Sequence, residues 1–232
     1  MRVVRNEALI KQRLKLTQRG SLIGMALLLG SLFLAWRNQA VSWVLLIAGF
    51  LVAMTAVRIG NRYVRPPRRD TVLDKLLKGL DNKYELYHYL YPAEHLLLTP
   101  SGLIAIRMQE HTGRITVQGN RWRQRPAGLR LKVLLGEAGL GNPFDDLRVE
   151  LARTSKVLGK LLTENSLPLE GLVVFYSPKV EITAENPAFP VVAAADLKAT
   201  VRAMAEAHPA LPARTRKAVA AALRGERQAE EG

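Results

Sequence analysis

The chain has 232 residues, no cysteine and a formal net charge of +14. The lack of cysteine excludes disulfides and thiolate metal sites, and the four histidines lack the close pairing of structural zinc motifs. Residues 1–69 carry 12 basic residues against one acid, whereas residues 70–232 carry 22 against 19. Most of the excess positive charge therefore lies beside the apolar segments near the N-terminus, where membrane orientation explains it before nucleic-acid binding does.

Residues 1–19 form a basic leader in which apolar and basic residues alternate at roughly helical spacing. This pattern is typical of an amphipathic helix lying on an anionic membrane leaflet. A partly ordered cytoplasmic tail would have the same composition. The sequence leaves these two alternatives open.

Two segments without a charge follow the leader, at residues 20–36 and 39–57. As helices they would be about 26 and 28 Å long, close to the roughly 30 Å hydrocarbon core of a bilayer. The link between them is only a few residues long, which suits a tight turn. We therefore expect two transmembrane helices that form a hairpin over residues 20–58.

Basic residues flank both outer ends of this hairpin, whereas Arg37 is the only basic residue of the link. The positive-inside rule then predicts a multi-pass protein of the cell membrane with both termini in the cytoplasm. A basic, proline-containing linker at residues 59–69 separates the hairpin from a cytoplasmic domain. We place that domain at residues 70–225, before a polar tail at residues 226–232.

Helical and extended patterns alternate along the cytoplasmic domain. The predicted helices are residues 70–80, 144–162, 195–207 and 212–224, and the predicted strands are residues 84–91, 96–98, 103–106, 114–118, 121–125, 171–176 and 191–192. Residues 126–143 are predicted to be a loop with one short strand at 131–135. This order indicates an α/β fold, a mixed β-sheet flanked by helices and preceded by the transmembrane helical hairpin.

A hairpin at residues 92–113, PAEHLLLTPSGLIAIRMQEHTG, is the central element of this domain. Two apolar runs are joined by a Thr-Pro-Ser-Gly turn, and polar residues stand at the outer ends of both strands. Glu94 lies on the first strand, and Arg107 and Gln109 lie on the second. Side chains from two neighbouring strands therefore converge at one edge of the sheet, as they do in many metal-dependent active sites.

Three segments resemble the nuclease-related domain (NERD) family, which belongs to the PD-(D/E)xK nuclease-like fold. The hairpin EHLLLTPSGLIAIRMQ is similar to the family's run of Asp-His, apolar residues, Gly-Pro-x-Gly, apolar residues and Glu-x-Lys. GRITVQGNRW resembles the Gly-x-Ile and Trp element that follows, and NPFDD with LEGLVVF resembles the Asn-Pro helix and a buried strand. The resemblance implies a restriction-endonuclease-like fold in a prokaryotic protein.

The resemblance also implies where an active site would lie. In the family, acidic residues hold a divalent cation and a lysine positions water. At the matching positions this chain has Glu94 for the Asp, Arg107 for the Glu, Gln109 for the Lys, and Asp146 for the Gln of the Asn-Pro motif. A guanidinium in place of a carboxylate puts positive charge where the metal would bind. We therefore expect an inactive domain with no metal and no cofactor, in which Arg107 pairs with Glu94.

The alternative is a divalent-metal-dependent nuclease with a divergent active site and Mg²⁺ as its cofactor. Glu110 is then the candidate for the missing ligand, although strand parity turns it away from Arg107. The acid that the family carries on its first helix has Asp70 and Asp74 as candidates.

A basic run that contains one tryptophan follows the hairpin. Its members are Arg114, Arg121, Trp122, Arg123, Arg125, Arg130 and Lys132. Such residues can contact phosphates and stack on a base, which makes nucleic acid one candidate ligand. A solvated edge hairpin, contact with anionic lipid head groups and a protein partner are the alternatives. The sequence thus predicts a membrane-anchored binding or scaffold module. Its predicted partner is the lipid bilayer, and the ligand of its basic run is left open among the alternatives above.

Overall fold

A computed structural model describes residues 1–64, 66–125 and 139–230. The chain divides into two compact units, one formed by Asn6–Thr71 and the other by Met1–Arg5 together with Val72–Gly232. The short N-terminal segment is therefore part of the same unit as the C-terminal two thirds of the chain.

The first unit is a pair of long helices, α1 (Glu7–Leu34) and α2 (Gln39–Tyr63). An asparagine caps each of them, because the Asn6 side chain accepts a hydrogen bond from Leu9 N and the Asn38 side chain accepts one from Val41 N. Both helices are long and apolar enough to cross a membrane. Helix α1 begins 13 residues before the predicted span, since most of the basic leader continues the same helix.

Small residues bring the two helices close together. A Cβ atom on Gly24 would lie 2.9 Å from Ala53 N, and one on Gly49 would lie 3.0 Å from Leu28 N, so neither position has room for a side chain. The Ser42 hydroxyl donates a hydrogen bond to Ser31 O at 2.7 Å. Close backbone approach and an interhelical hydrogen bond are the usual means by which apolar helices associate.

The second unit contains nine strands and four helices within the described residues. The strands are β1 (Arg2–Arg5), β2 (Glu85–His88), β3 (His95–Leu98), β4 (Leu103–Gln109), β5 (Gly113–Gln118), β6 (Arg121–Arg125), β7 (Leu169–Phe175), β8 (Val180–Glu185) and β9 (Val191–Ala193). The helices are α3 (Arg69–Leu77, whose first turn belongs to the other unit), α4 (Pro143–Glu164), α5 (Leu197–Glu206) and α6 (Ala213–Glu230).

Six strands form a mixed sheet in the order β1-β2-β3-β4-β7-β9. Strands β2, β3 and β4 pair antiparallel, whereas β1, β7 and β9 each pair parallel with their neighbours. A second sheet has the order β6-β5-β8, with β5 antiparallel to β6 and parallel to β8. The mixed sheet flanked by helices, preceded by two apolar helices, confirms the predicted α/β class.

The two faces of the large sheet are covered by different elements because side chains alternate along each strand. One face packs against α4, α6 and the small sheet, through residues such as Phe144, Val219 and Ile115. The other face packs against α3 and α5, through residues such as Leu73 and Val201. Along β4, odd-numbered residues face α4 and even-numbered residues face α3, and this parity decides which side chains can meet.

The structure differs from the prediction for residues 1–19. Residues 2–5 are neither an amphipathic helix nor a tail, because they form strand β1 and pair with β2. Val3 and Val4 pack against the cores on opposite faces of the sheet. A four-residue edge strand carries too little periodicity to be recognised when its partner lies some 80 residues later in the chain.

Two other elements depart from the predicted pattern. Strand β8 was not predicted, although its alternation of Val180, Ile182 and Ala184 with outward polar residues was a readable signal. The predicted strand 84–91 ends at His88, because Tyr89 adopts a φ of 58° that a strand does not allow. The predicted strand at 131–135 lies outside the described residues.

Tyr87 makes the stability of this domain sensitive to alkaline pH. Its buried hydroxyl donates to Glu85 Oε2 at 3.0 Å, and burial first and the Glu85 charge second raise the pKa of Tyr87 above its usual value of 10. The unfolded chain therefore loses this proton at lower pH than the folded chain. We expect the free energy of unfolding to fall above pH 10, by up to about 1.4 kcal/mol per pH unit, and less steeply in Tyr87→Phe. Urea unfolding of both proteins at pH 9 and pH 11 measures the difference, and equal slopes would contradict it.

Candidate functional site

Arg107 lies at the centre of the predicted site, on the face of β4 that packs against α4. Its Nη2 is 2.7 Å from Asp146 Oδ2, and its Nη1 is hydrogen-bonded to Glu150 Oε1. The same Nη1 is 3.7 Å from Glu94 Oε2. The predicted ion pair between Arg107 and Glu94 is therefore present, within a group of four charged side chains that we call the Arg107 cluster: Glu94, Arg107, Asp146 and Glu150.

The start of α4 positions two of these carboxylates. The Asn142 side chain accepts a hydrogen bond from Phe144 N at 3.1 Å, and Pro143 occupies the first turn, where its missing N–H costs nothing. Asp146 and Glu150 stand one turn apart, so both point toward the same strand. Sequence reasoning missed Glu150, although its spacing of four residues from Asp146 on a helix was the available signal.

Thr154, one turn further along α4, fixes the third carboxylate. Its hydroxyl accepts a hydrogen bond from Ala93 N at 3.0 Å, which holds the segment before β3 against the helix. Glu94 O accepts a hydrogen bond from Tyr89 N at 3.0 Å. The backbone on both sides of the Glu94 side chain is thereby fixed, and the carboxylate is directed at Arg107.

The Arg107 cluster holds three carboxylates around one guanidinium, a formal charge of −2. The Glu94 side chain is fully buried and those of Arg107 and Glu150 are about 10% exposed, whereas Asp146 is 58% exposed. A guanidinium donates hydrogen bonds, accepts none and keeps its proton at all accessible pH values. It can neutralise and orient the carboxylates, but it can neither activate water nor bind a cation.

The remaining predicted positions contribute little to this cluster. Gln109 is buried on β4, on the same face as Arg107, and its backbone carbonyl accepts a hydrogen bond from Tyr176 N at 3.1 Å. Glu110 lies beyond the end of β4 and is exposed, so the predicted strand parity does not apply to it. Across the described ranges, no group of three acidic or histidine side chains is arranged to hold a metal ion.

A second polar cluster lies on the opposite face of the sheet and was not predicted. His88 Nε2 is 3.0 Å from Asp74 Oδ1, and His88 Nδ1 is 2.8 Å from His95 Nδ1. Arg5 forms an ion pair with the same Asp74. Asp74, one of the two candidates for an active-site acid, is therefore separated from Arg107 by the sheet. The signal for this cluster was the hairpin register, which pairs His88 with His95.

The second cluster is a chain of hydrogen bonds in which His88 contacts Asp74 through Nε2 and His95 through Nδ1. Because both imidazoles are fully buried, we interpret the chain of hydrogen bonds as a structural link between β1, α3 and the β2–β3 hairpin.

The predicted basic residues that lie on β5 and β6 form one surface, which we call the arginine face. Strand β6 is the edge of the small sheet, and the exposed residues of β6 are all arginines. Arg114 on β5 pairs directly with Arg125 on β6, so all four guanidinium groups project from the same side. The members of the arginine face are Arg114, Arg121, Arg123 and Arg125.

Strand β8, the third strand of the small sheet, pairs with β5 and supplies acidic neighbours to β5 but not to β6. Arg114 Nε is 3.3 Å from Glu181 Oε2, and Gln118 Nε2 donates to Glu185 Oε2 at 3.1 Å. Within the part of the chain that the structure describes, the three arginines of β6 form no ion pair. Their charge is therefore available to a ligand.

Trp122 does not belong to this surface. Its ring centroid is 4.7 Å from that of Phe144 and 6.0 Å from that of Phe175, so the indole packs inward while its arginine neighbours point outward. The prediction that Trp122 stacks on a base is therefore wrong, because strand alternation places the tryptophan in the core. Arg130 and Lys132 lie outside the described residues.

Comparison with known proteins gave no match to any family model, any curated protein or any solved structure. The resemblance to nuclease-related domains therefore stays a prediction.

Proposed function

We propose that the chain is a membrane-anchored, non-catalytic module whose arginine face binds the phosphate backbone of nucleic acid in the cytoplasm. The α/β domain has, in this proposal, the restriction-endonuclease-like fold of a nuclease-related domain that no longer cleaves. The observation that carries the proposal is the arginine face, where three arginines on one edge strand lack acidic partners among the described residues.

The membrane anchor is supported by helices α1 and α2. The basic half of α1 and the end of α2 lie together, since the Arg13 guanidinium is 5.6 Å from the centre of the Tyr63 ring. Helix α1, at 28 residues, is about 42 Å long and therefore exceeds a bilayer core of about 30 Å. Its basic end would extend into the cytoplasm, and the turn at residues 35–38 would face the other side.

The absence of catalysis is supported by the Arg107 cluster. A divalent cation that used Glu94, Asp146 and Glu150 as ligands would have to displace the guanidinium between them. Arg107 makes contacts with all three carboxylates, and separating it from a buried carboxylate is costly. The cluster thus uses its acidic residues for structure.

Backbone recognition, without base recognition, is supported by the composition of the arginine face. Alternate residues on a strand are about 6.6 Å apart, so Arg121, Arg123 and Arg125 form a row about 13 Å long. With Trp122 directed inward, the outer face offers guanidinium groups but no aromatic ring for stacking. Such a surface contacts phosphates and carries no direct information about base sequence.

The test measures how binding of duplex DNA by the full-length chain depends on salt. The protein is held in nanodiscs of uncharged phosphatidylcholine, so that anionic lipid does not compete. For four arginine–phosphate contacts we expect log K to fall with log salt with a slope of about −3 to −4. The variant Arg121→Gln/Arg123→Gln/Arg125→Gln should reduce the slope to about −1, since each lost contact removes about one unit.

The matched control removes the same charge from the exposed side of α4, through Arg153→Gln/Lys156→Gln/Lys160→Gln. This variant should keep the slope of the wild-type protein. Equal losses in both variants would mean that only net charge matters and would contradict the proposed surface. Binding to anionic vesicles but not to DNA would contradict nucleic acid as the ligand of the arginine face. Mg²⁺-dependent cleavage that Glu94→Ala abolishes would overturn the non-catalytic assignment and favour the divergent nuclease.

A further inference from the structure

A concave site lies at one end of the small sheet, where β5 and β8 begin and β6 ends. Its volume is about 400 Å³, and Gly113 and Val180 are among the residues that line it. Gly113 pairs with Val180, and its N–H donates to Lys179 O at 2.8 Å, so two strand starts and the turn before β8 form a fixed wall. We call this site the strand-end pocket.

Three cations from three different segments line the strand-end pocket: Arg114, Arg125 and Lys179. The one acid in its lining is Glu181, which engages Arg114. In the described ranges of the chain, Arg125 and Lys179 form no ion pair. The pocket therefore carries a surplus of two positive charges in a concave surface, a combination that attracts a dianion.

A phosphate monoester matches this charge. At neutral pH it carries close to two negative charges and three strong acceptor oxygens, whereas a backbone phosphodiester carries about one charge. Guanidinium groups bind such oxygens in a bidentate manner, and a lysine adds a compact charge. The volume of the pocket lies in the range of small-ligand sites and exceeds the needs of a bare phosphate ion. It has room for the group to which the phosphate is esterified.

Arg125 belongs both to the strand-end pocket and to the arginine face. A nucleic-acid strand that lies along Arg121 and Arg123 would therefore reach the pocket at its end. We propose that the strand-end pocket binds the terminal phosphate of a nucleic-acid strand whose backbone lies on the arginine face. This inference rests on the proposed function, and it adds that the module recognises a phosphorylated strand end.

The test compares three single-stranded oligonucleotides of one sequence that carry a 5′-phosphate, a 3′-phosphate or two hydroxyl ends. Binding to the full-length chain in phosphatidylcholine nanodiscs is measured by fluorescence anisotropy at a fixed salt concentration. We expect one phosphorylated end to bind about tenfold more tightly than the hydroxyl end, because charge-assisted hydrogen bonds replace solvent contacts. Lys179→Gln should reduce this end preference several-fold, and by more than it weakens binding of the hydroxyl oligonucleotide, because one of the three cations of the pocket is lost.

Two comparisons separate the pocket from the arginine face. Arg121 lies outside the pocket. The variant Arg121→Gln should therefore weaken the binding of all three oligonucleotides by the same factor and retain the preference for a phosphorylated end. Lys160→Gln, on α4, should change neither the affinity for the oligonucleotides nor the preference for a phosphorylated end. Equal affinity for the three oligonucleotides would overturn this inference alone, whereas binding of none of them would overturn it together with the proposed function. Tighter binding to phosphatidic acid vesicles than to any oligonucleotide would identify a lipid phosphate as the ligand and would also overturn it.

Discussion

Replacement of Arg107 by methionine is expected to lower the free energy of unfolding of the α/β domain by about 3–5 kcal/mol. The methionine keeps an unbranched apolar stem but removes the guanidinium that Glu94, Asp146 and Glu150 share. Two of those carboxylates are buried or nearly so, and they would repel one another without a cation between them. The measurement is urea unfolding in detergent with Trp36→Phe and Trp43→Phe in the background, so that Trp122, which packs against Phe144 near the cluster, is the only tryptophan.

The rescue variant distinguishes lost charge balance from lost packing. Adding Glu94→Gln and Glu150→Gln to Arg107→Met removes the uncompensated carboxylates, and we expect it to recover more than half of the lost stability. Arg114→Met is the matched control, because its ion pair with Glu181 is largely exposed and contributes roughly 1 kcal/mol or less. A loss below about 1 kcal/mol for Arg107→Met, or no recovery in the triple variant, would mean that the charge of Arg107 does not stabilise the carboxylates of the cluster.

Removal of strand β1 is expected to destabilise the same domain by on the order of 3 kcal/mol. Val3 and Val4 bury apolar surface on the two faces of the sheet, and the backbone pairs with β2 over four residues. Arg5 would no longer neutralise Asp74, which is hydrogen-bonded to His88. The fragment 69–232, which corresponds closely to the domain predicted from sequence, should therefore unfold at a lower urea concentration than a chain that keeps β1.

The matched comparison keeps β1 but omits the helical hairpin. Residues 1–5 are joined to residues 69–232 by a Gly/Ser linker of about 15 residues, which has a mean extension of about 20 Å. In both proteins Trp122 is the only tryptophan and reports unfolding. The fragment without β1 should also associate at high concentration, because the edge of β2 is left unpaired. Equal urea midpoints for the two proteins would show that β1 contributes no stability.

Features that depend on local pattern were predictable. The apolar helices, the central hairpin and the start of α4 at Asn142 and Pro143 follow from composition, turn residues and capping. The parity of β4 correctly placed Arg107 and Gln109 on one face of the sheet. The pairing of Arg107 with Glu94 was expected from the resemblance, which matches both residues to metal-binding positions of the family, and the contact is present at 3.7 Å.

Features that depend on contacts between distant segments were not predictable. Glu150 and Asp146 join Arg107 only because α4 lies on one particular face of the sheet. The link between Arg5, Asp74 and His88 requires three segments that are up to 83 residues apart. The inward orientation of Trp122 depends on which side of the small sheet packs against the core, and a hairpin with basic residues on one side allows both assignments until that packing is known.

The sequence alone determined the α/β class, the two apolar helices, and the position of Arg107 and Gln109 on one side of the second strand of the central hairpin. These are properties of composition and of periods of two or 3.6 residues, which each segment carries by itself. The tertiary structure decided that Arg2–Arg5 form an edge strand of the sheet, that Arg107 contacts three carboxylates, and that four arginines form one face. Each of these depends on which distant surfaces become buried together, and burial is a property of the whole domain.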